Sequence, residues 1–486
     1  MNKYRIQTIL LAALTVLLAA SCQKWVEVTP KTQIEDIEFY SNEQGFKEAL
    51  NGIYINMGRP GQYGREYTFG LSDVLGGMYV LSTSNGSLRY RDARAGLYTN
   101  TNVQNLTDTM WRFQYNSIAN VNKLIEELDK VDTTLFKTGN YGVIRGEALG
   151  LRAFLHFDLL RFFGTAISAG GADLPAIPYV KTYAPTVTGK STHQQVLTAI
   201  LADLQEAAAL LQNDPIHTGE VITTDRDNGY LMNRKLRFNY YAVRALQARV
   251  NLWAGKTADA LSPAEELISV SAGKFPWITQ ASVAASEISR DRVFTTEHIF
   301  GLFMNDIAQN YVDILDSSRY STTLIINSSR ITEQFETSTV GAADYRRVYL
   351  IRELTNIAQP KTFFGKLYQP VGIPADFGKK MPLIRIPEMY YIAAECLKET
   401  NPEKAVTYIN TVRASRGISS PIAATATAEQ IQAEIRKEYW KEFPSEGQFL
   451  FYLKRTNSGT VPGVTGTFPT ARYVLPLPPA ELEFGY

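Results

Sequence analysis

The stretch EALGLRAFLHFDLLRFFG, residues 147–164, constrains the fold more than any other part of the chain. Leu149, Ala153, Phe154, Phe157, Leu160 and Phe163 recur at intervals of three and four, the spacing of a buried helical stripe. Gly164 stands where a glycine usually closes a helix. Glu147, Arg152, Asp158 and Arg161 sit among the apolar positions. A helix of this kind packs on both sides and satisfies its charges locally, so it belongs to the interior of an all-α protein.

The segments around it carry the same period. Residues 42–57 form a helix with Asn42 as its N-cap, and Trp111, Tyr115, Ile118, Val121, Ile125 and Leu128 make a stripe through a second. That second helix and 147–164 are expected to lie antiparallel. Thr192 and Gln195 are spaced as a capping box for a further helix, 238–253 is alanine- and arginine-rich, and Ser262-Pro263 with Glu265 resembles a helix start. Three helices close the array at 386–400, 402–416 and 426–443. Alternating alanines and large aromatics in helix pairs of this length point to degenerate tetratricopeptide-like units, without a clean 34-residue consensus. The helical scaffold is therefore expected at about 107–272 and 386–455, with two long irregular regions at about 58–105 and 276–381. Such long irregular stretches on a helical framework are where binding functions concentrate.

The start of the chain is a targeting signal. Lys3 and Arg5 precede an apolar run from Ile9 to Ala20 that is too short to span a bilayer stably, and the segment ends Leu18-Ala19-Ala20-Ser21-Cys22. Small residues before a lone cysteine resemble a bacterial lipobox. On that reading residues 1–21 are a lipoprotein signal peptide, Cys22 is lipidated, and 22–40 are a tether ahead of one domain at 41–486. Lipidation leaves Cys396 as the remaining thiol, so no intrachain disulfide is expected; Cys396, in IAAECL, is a small core residue rather than a nucleophile.

Charge and motif content narrow the function. Lysines and arginines number 49 against 48 acidic residues, and removing Lys3 and Arg5 with the leader leaves a net −1. Nucleic acid is a poor partner for such a chain, because phosphate binding needs a basic excess. His156, His193, His217 and His298 are isolated, with no paired metal-ligand spacing, and neither a GxSxG nor a phosphate-binding glycine loop is present. No metal or cofactor is expected. A lipid-anchored glycoside hydrolase would need two carboxylates across a cleft, and none stands in a recognisable catalytic setting. A helical-repeat protein that docks a partner and binds no small ligand is the remaining rival.

Several stretches, in order, resemble the SusD/RagB outer-membrane lipoproteins of Bacteroidetes. These are the lipobox with KWVEVTPKTQI, then YNSIANVNKLI, EALGLRAFLHFDLLRFFG, RIPEMYYIAAECL, AVTYINTVRASRGI, IRKEYWKEFPSEGQFLFYLKR and VLPLPPAEL. The last long motif departs from the family pattern EG-x-R-x-x-DL-x-R: here it runs Glu446-Gly447-Gln448-Phe449, with Tyr452 in place of the aspartate, as in a divergent branch. The resemblance implies a SusD-like helical fold with long loop insertions and no catalytic activity. It implies an outer-membrane location, a SusC-like TonB-dependent transporter as partner, and an oligosaccharide, or alternatively a peptide, as ligand.

Sugar recognition combines flat aromatic faces, which stack on the C–H faces of a pyranose, with polar groups at the rim. In the irregular regions the aromatic candidates are Tyr79, Tyr90, Tyr98, Trp277, Tyr311 and Tyr320, and the polar ones Asp73, Asn85, Arg89 and Asp306. Phe154, Phe157, Phe162 and Trp253, at helical spacing, are core, and Trp111 and Trp440 are core or inter-helix contacts.

Overall fold

The computed structural model describes residues 38–81, 87–137, 139–315, 324–355 and 361–484. Cys22, Asn85 and Tyr320 lie outside these residues. The described chain is predominantly helical, and none of its helices is long and apolar enough to cross a membrane.

Capping sets most helix starts. Helix α1 (Glu43–Met57) opens on Asn42, whose side chain accepts from the backbone N–H groups of Gln44 and Gly45. Two short helices, α2 (Leu71–Leu75) and α3 (Leu88–Ala95), fall within the first region expected to be irregular. The long helix α4 (Thr101–Leu128) starts ten residues before Trp111, earlier than the aromatic stripe alone indicates. Helix α5 (Asn140–Phe163) contains the 147–164 stretch and is buried along almost its whole length. Strands β1 (Pro175–Ile177) and β2 (Ser191–Thr192) pair antiparallel and lead into α6 (His193–Leu210), where Thr192 and Gln195 form the predicted capping box.

Helix α7 (Tyr240–Trp253) is capped by Asn239. In α8 (Thr257–Lys274), Pro263 is interior rather than at the start as its Ser-Pro-x-Glu setting suggested. A proline removes the donor that would reach the carbonyl four residues earlier, and that carbonyl, of Asp259, instead faces the Asn251 side-chain amide at 3.4 Å. The second irregular region holds strand β3 (His298–Phe303), helix α9 (Ile307–Leu315) and a hairpin of β4 (Ile351–Leu354) and β5 (Lys361–Phe364), together with short helices at Gln280–Val283, Ser328–Phe335 and Tyr345–Leu350. Strand β6 (Lys380–Arg385) pairs antiparallel with β3. Helices α10 (Ile386–Leu397), α11 (Pro402–Ser415), α12 (Ala428–Glu442), α13 (Gln448–Arg455) and α14 (Pro479–Phe484) complete the chain.

Helices α4, α5, α6, α7, α8, α10 and α11 pack in a row, each on the next, which is how tetratricopeptide-like pairs share one core. Gly150 explains how α5 comes so close to its neighbours: a Cβ there would sit 2.3 Å from Cδ1 of Phe238, at the entry to α7. The charges of α5 are satisfied, and all four also reach other elements: Asp158 accepts from Tyr63 at 2.7 Å and Arg161 donates to Gln448 at 2.9 Å. Arg161 pairs with Asp158 one turn back. Arg152 makes a two-pronged contact with Asp203 of α6, at 2.7 and 2.9 Å, while Glu147 accepts from Tyr54 of α1 at 2.6 Å and pairs with Arg234. Glu147 and Arg152 are thus inter-helix clamps and not partners of each other.

Candidate functional site

The C-terminal motif KEYWKEFPSEG positions the loops. Glu438 and Glu442 lie one turn apart on α12, and Glu446 follows in the turn after it; all three carboxylates are buried. Glu442 accepts from Arg385 at 2.6 Å, Arg416 at 2.9 Å and Arg346 at 2.9 Å. Arg385 also binds Glu446 at 2.6 Å, and Arg416 binds Glu297 at 2.7 Å. Burial opposes ionisation of Glu438, yet Arg346, Lys441 and Arg413 hold its pKa down to about 2. For Glu442 the guanidiniums of Arg416, Arg385 and Arg346 likewise outweigh burial and keep it ionised. This network ties strand β6, the start of the Tyr345–Leu350 helix and the turn at Arg416 to α12 through charge-assisted hydrogen bonds.

The turn after α12 also fastens the first irregular region. Asp73 in α2 accepts from the backbone N–H groups of Ser445 at 2.6 Å and Gly447 at 3.1 Å, and Ser72 donates to Gly447 O at 2.7 Å. Gly447 sits at φ +73°, and a Cβ would lie 2.6 Å from Tyr67 O, so the glycine of the motif is required by this close approach. Burial pushes the Asp73 carboxyl up to about 8, against the hydrogen bonds it accepts.

From this anchor the two irregular regions meet. Val80 bridges Ile325, and Ile326 bridges Thr362 of β5, so one backbone ribbon joins them. The Tyr79 hydroxyl donates to Phe69 O at 2.9 Å and its ring contacts Phe364 at 6.0 Å between centroids; the Tyr311 hydroxyl donates to Phe364 O at 3.3 Å. Tyr90 donates to both oxygens of Glu66 at 3.1 Å, Arg65 reaches Glu66 at 2.7 Å, and the Arg89 guanidinium lies 4.8 Å above the Tyr90 ring. Next to Tyr311, at 6.0 Å, is Tyr368, whose ring is covered at 3.5 Å by the Arg352 guanidinium. The surface of this loop face is therefore lined by half-buried arginines stacked on tyrosines, with the tyrosine layer beneath.

The structure brings together Asp73, Tyr79, Arg89, Tyr90 and Tyr311 from the sequence-predicted set. Asp73, Tyr79, Tyr90 and Tyr311 are all but fully buried, so they support the face from below, and Arg89 is the member that reaches solvent. The others stand apart. The Tyr98 hydroxyl donates to the carbonyl of Arg472 and anchors the C-terminal segment. Trp277 packs on Tyr390 of α10 with Arg416 over its ring. Asp306 is exposed at the start of α9, where its carbonyl accepts from Asn310 N. Arg65, Arg352 and Tyr368 belong to the face and were not singled out from sequence. An arginine followed by an acidic residue, as in Arg65-Glu66, gives no local signal of the tyrosine that completes it.

Comparison with known proteins bears on this arrangement. A family model described as starch-binding and associating with the outer membrane matches residues 24–224, and a SusD family model matches 375–472. The first match takes in the 58–105 region, and the unmatched gap contains most of the second irregular region. Among solved structures, a SusD superfamily protein from Bacteroides thetaiotaomicron is 20% identical, covers 91% of this chain and 98% of its own, and superposes with a TM-score of 0.70. A SusD-like carbohydrate-binding protein from Bacteroides vulgatus is 20% identical, covers 85% and 83%, and gives a TM-score of 0.66. A laminarin-binding SusD-like protein is 18% identical, covers 91% and 98%, and gives 0.62. At these identities the likeness is one of fold. No curated protein matches the chain.

Proposed function

Because the chain belongs to the SusD/RagB family, we propose that it is a non-catalytic lipoprotein of the outer membrane. It captures an oligosaccharide on the loop face and delivers it to a SusC-like TonB-dependent transporter. The observation that carries this reading is the joining of the two irregular regions by the Val80–Ile325 and Ile326–Thr362 bridges. In the regions so joined, Arg89 lies over Tyr90 and Arg352 over Tyr368. Planar donors held by the rings beneath them suit a pyranose, whose hydroxyls accept from guanidinium.

The solved relatives described as carbohydrate-binding and laminarin-binding support a glycan as the ligand class. The buried carboxylates nearest the face, Glu66 and Asp73, are held by protein donors, which suits binding better than hydrolysis. Lipidation at Cys22 supplies the anchor, with the tether placing the domain beside the transporter. Affinity electrophoresis through gels containing soluble polysaccharides tests the ligand class: retardation by at least one glycan is expected. Retardation by none, with saturable binding of peptides instead, overturns the oligosaccharide reading.

A further inference from the structure

Outside the loop face, a groove with a volume of about 870 Å³ opens along the first turns of α4. Asp108, Trp111, Arg112 and Tyr115 lie at intervals of three and four and so share one helical face, which forms the floor. The Trp111 and Tyr115 rings are 4.8 Å apart at 50°, and Trp111 is backed edge-on by Phe163 at 4.9 Å. One wall is the segment around Val180, and the other is the start of α14, with Glu481.

Both walls are fixed by α4 and α5. The Tyr115 hydroxyl donates to Pro178 O at 2.8 Å, Asn122 donates to Val180 O at 3.0 Å, and Val180 N donates to His156 Nε2 at 3.0 Å. Across the groove, Leu475 N donates to Phe162 O at 3.0 Å, using a carbonyl left open where α5 ends at Gly164. A groove held this way loses little entropy on binding.

Its polar groups look for donors. Asp108 Oδ1 is buried, and no donor among the described residues reaches it. Burial raises the carboxyl pKa of both Asp108 and Glu481, as for groups short of partners. Arg112 is the single cation against these two acids in the lining.

We propose that this groove is a second carbohydrate site, selective for neutral pyranosides. One sugar ring packs on the Trp111–Tyr115 floor, its hydroxyls donate to Asp108 and Glu481, and Arg112 donates to a hydroxyl or ring oxygen. Uronic acids are disfavoured, because their carboxylates face Asp108 and Glu481 with Arg112 as the one cation in the lining, while Lys190 acts on Glu481 from outside it. The ligand class rests on the function proposed above; the location does not.

The test uses the leaderless protein. Calorimetry and ligand-observed NMR are run with maltohexaose, laminarihexaose, xylohexaose and mannohexaose, with tetragalacturonate as the acidic control. Hydrogen exchange is followed over 105–115 and 478–484. The expected result is that a neutral hexaose binds and protects these two segments. In an Arg89→Ala/Arg352→Ala background that binding persists, and adding Asp108→Ala with Arg112→Ala weakens it at least tenfold. Sugar binding removed by the loop pair alone, with no protection at 105–115, overturns the groove and leaves the loop face standing. Equal protection of 105–115 by tetragalacturonate also overturns it. Binding removed by the groove pair alone supports the groove and overturns the loop-face placement, whereas no binding of any sugar overturns both.

Discussion

At the residue scale, the buried charges decide more than the surface ones. Glu442 accepts from three guanidiniums that are all but fully buried, sharing their charge with Asp344, Glu438, Glu297 and Glu446. Glu442→Gln keeps the shape but leaves Arg346, Arg385 and Arg416 short of negative charge. The expected cost is about 3–5 kcal/mol of stability, read from chemical denaturation followed by circular dichroism; a loss below about 1 kcal/mol would show that the network is dispensable.

The histidines give a pH dependence with a definite sign. Burial lowers His156 and His298 to about 3 and His193 to about 4, well under an unfolded imidazole. The unfolded chain therefore takes up these protons as pH falls through about 6.5, while the folded chain does not. Their stabilisation is complete above that pH and is lost progressively towards 3 to 4. Asp73, pushed up to about 8, works in the opposite sense, since the folded state holds its proton and loses that advantage as pH rises from about 4 to 8. The three histidines, with Glu438 and Glu442 held low by their arginines, outweigh Asp73 and the other carboxyls raised by burial, such as Asp291, and leave a net fall of stability between pH 6 and 4.5. A denaturation midpoint that rises over that interval would contradict the assignment.

At the element scale, α5 sets what its neighbours can do. Gly→Ala in a helix interior normally stabilises by about 1 kcal/mol. At Gly150 the sign reverses, because the new methyl meets the Phe238 ring at 2.3 Å. Gly150→Ala should cost about 1–3 kcal/mol, with partial rescue by Phe238→Leu, measured as shifts in the thermal midpoint of single and double variants. An unchanged or raised midpoint for Gly150→Ala would refute the close approach.

The helical elements were the legible part of the sequence. Period and caps located α1, α5, α6, α7 and α10 to α12, because a stripe such as Leu149–Ala153–Phe157–Leu160 and a box such as Thr192–Gln195 are local. Pro263 misled, since its Ser-Pro-x-Glu setting has the residues of a start while the helix had already begun at Thr257. The loop tyrosines were less legible. Whether Tyr79, Tyr90 and Tyr311 face water depends on Phe69, Glu66 and Phe364 and on the bridges between the two regions, and none of these contacts leaves a local pattern. The Asp108–Trp111–Arg112–Tyr115 face was hidden differently: its aromatics belong to the stripe that also packs α4 on α5.

For the whole molecule, the helical row and the charge network form a frame, and the loop face is mounted on it through Asp73 and the Ser445–Gly447 turn. On the proposed function, binding is separable from folding: Arg89 and Arg352 lie at the solvent side of the face, and their removal is expected to leave the buried tyrosines in place. Anchor and partner belong to the same scale. Replacing Cys22 by serine should release the protein from membrane fractions without changing its glycan affinity, whereas continued membrane retention would remove the lipid anchor from the account.

The most direct test is isothermal calorimetry of the leaderless protein with the glycan that most retards it in affinity gels, comparing the native chain with Arg89→Ala/Arg352→Ala. The account predicts saturable binding to the native chain and at least a tenfold loss for the loop-face component in the double variant, with an unchanged thermal midpoint. Native-like affinity and stoichiometry in the folded double variant would contradict it.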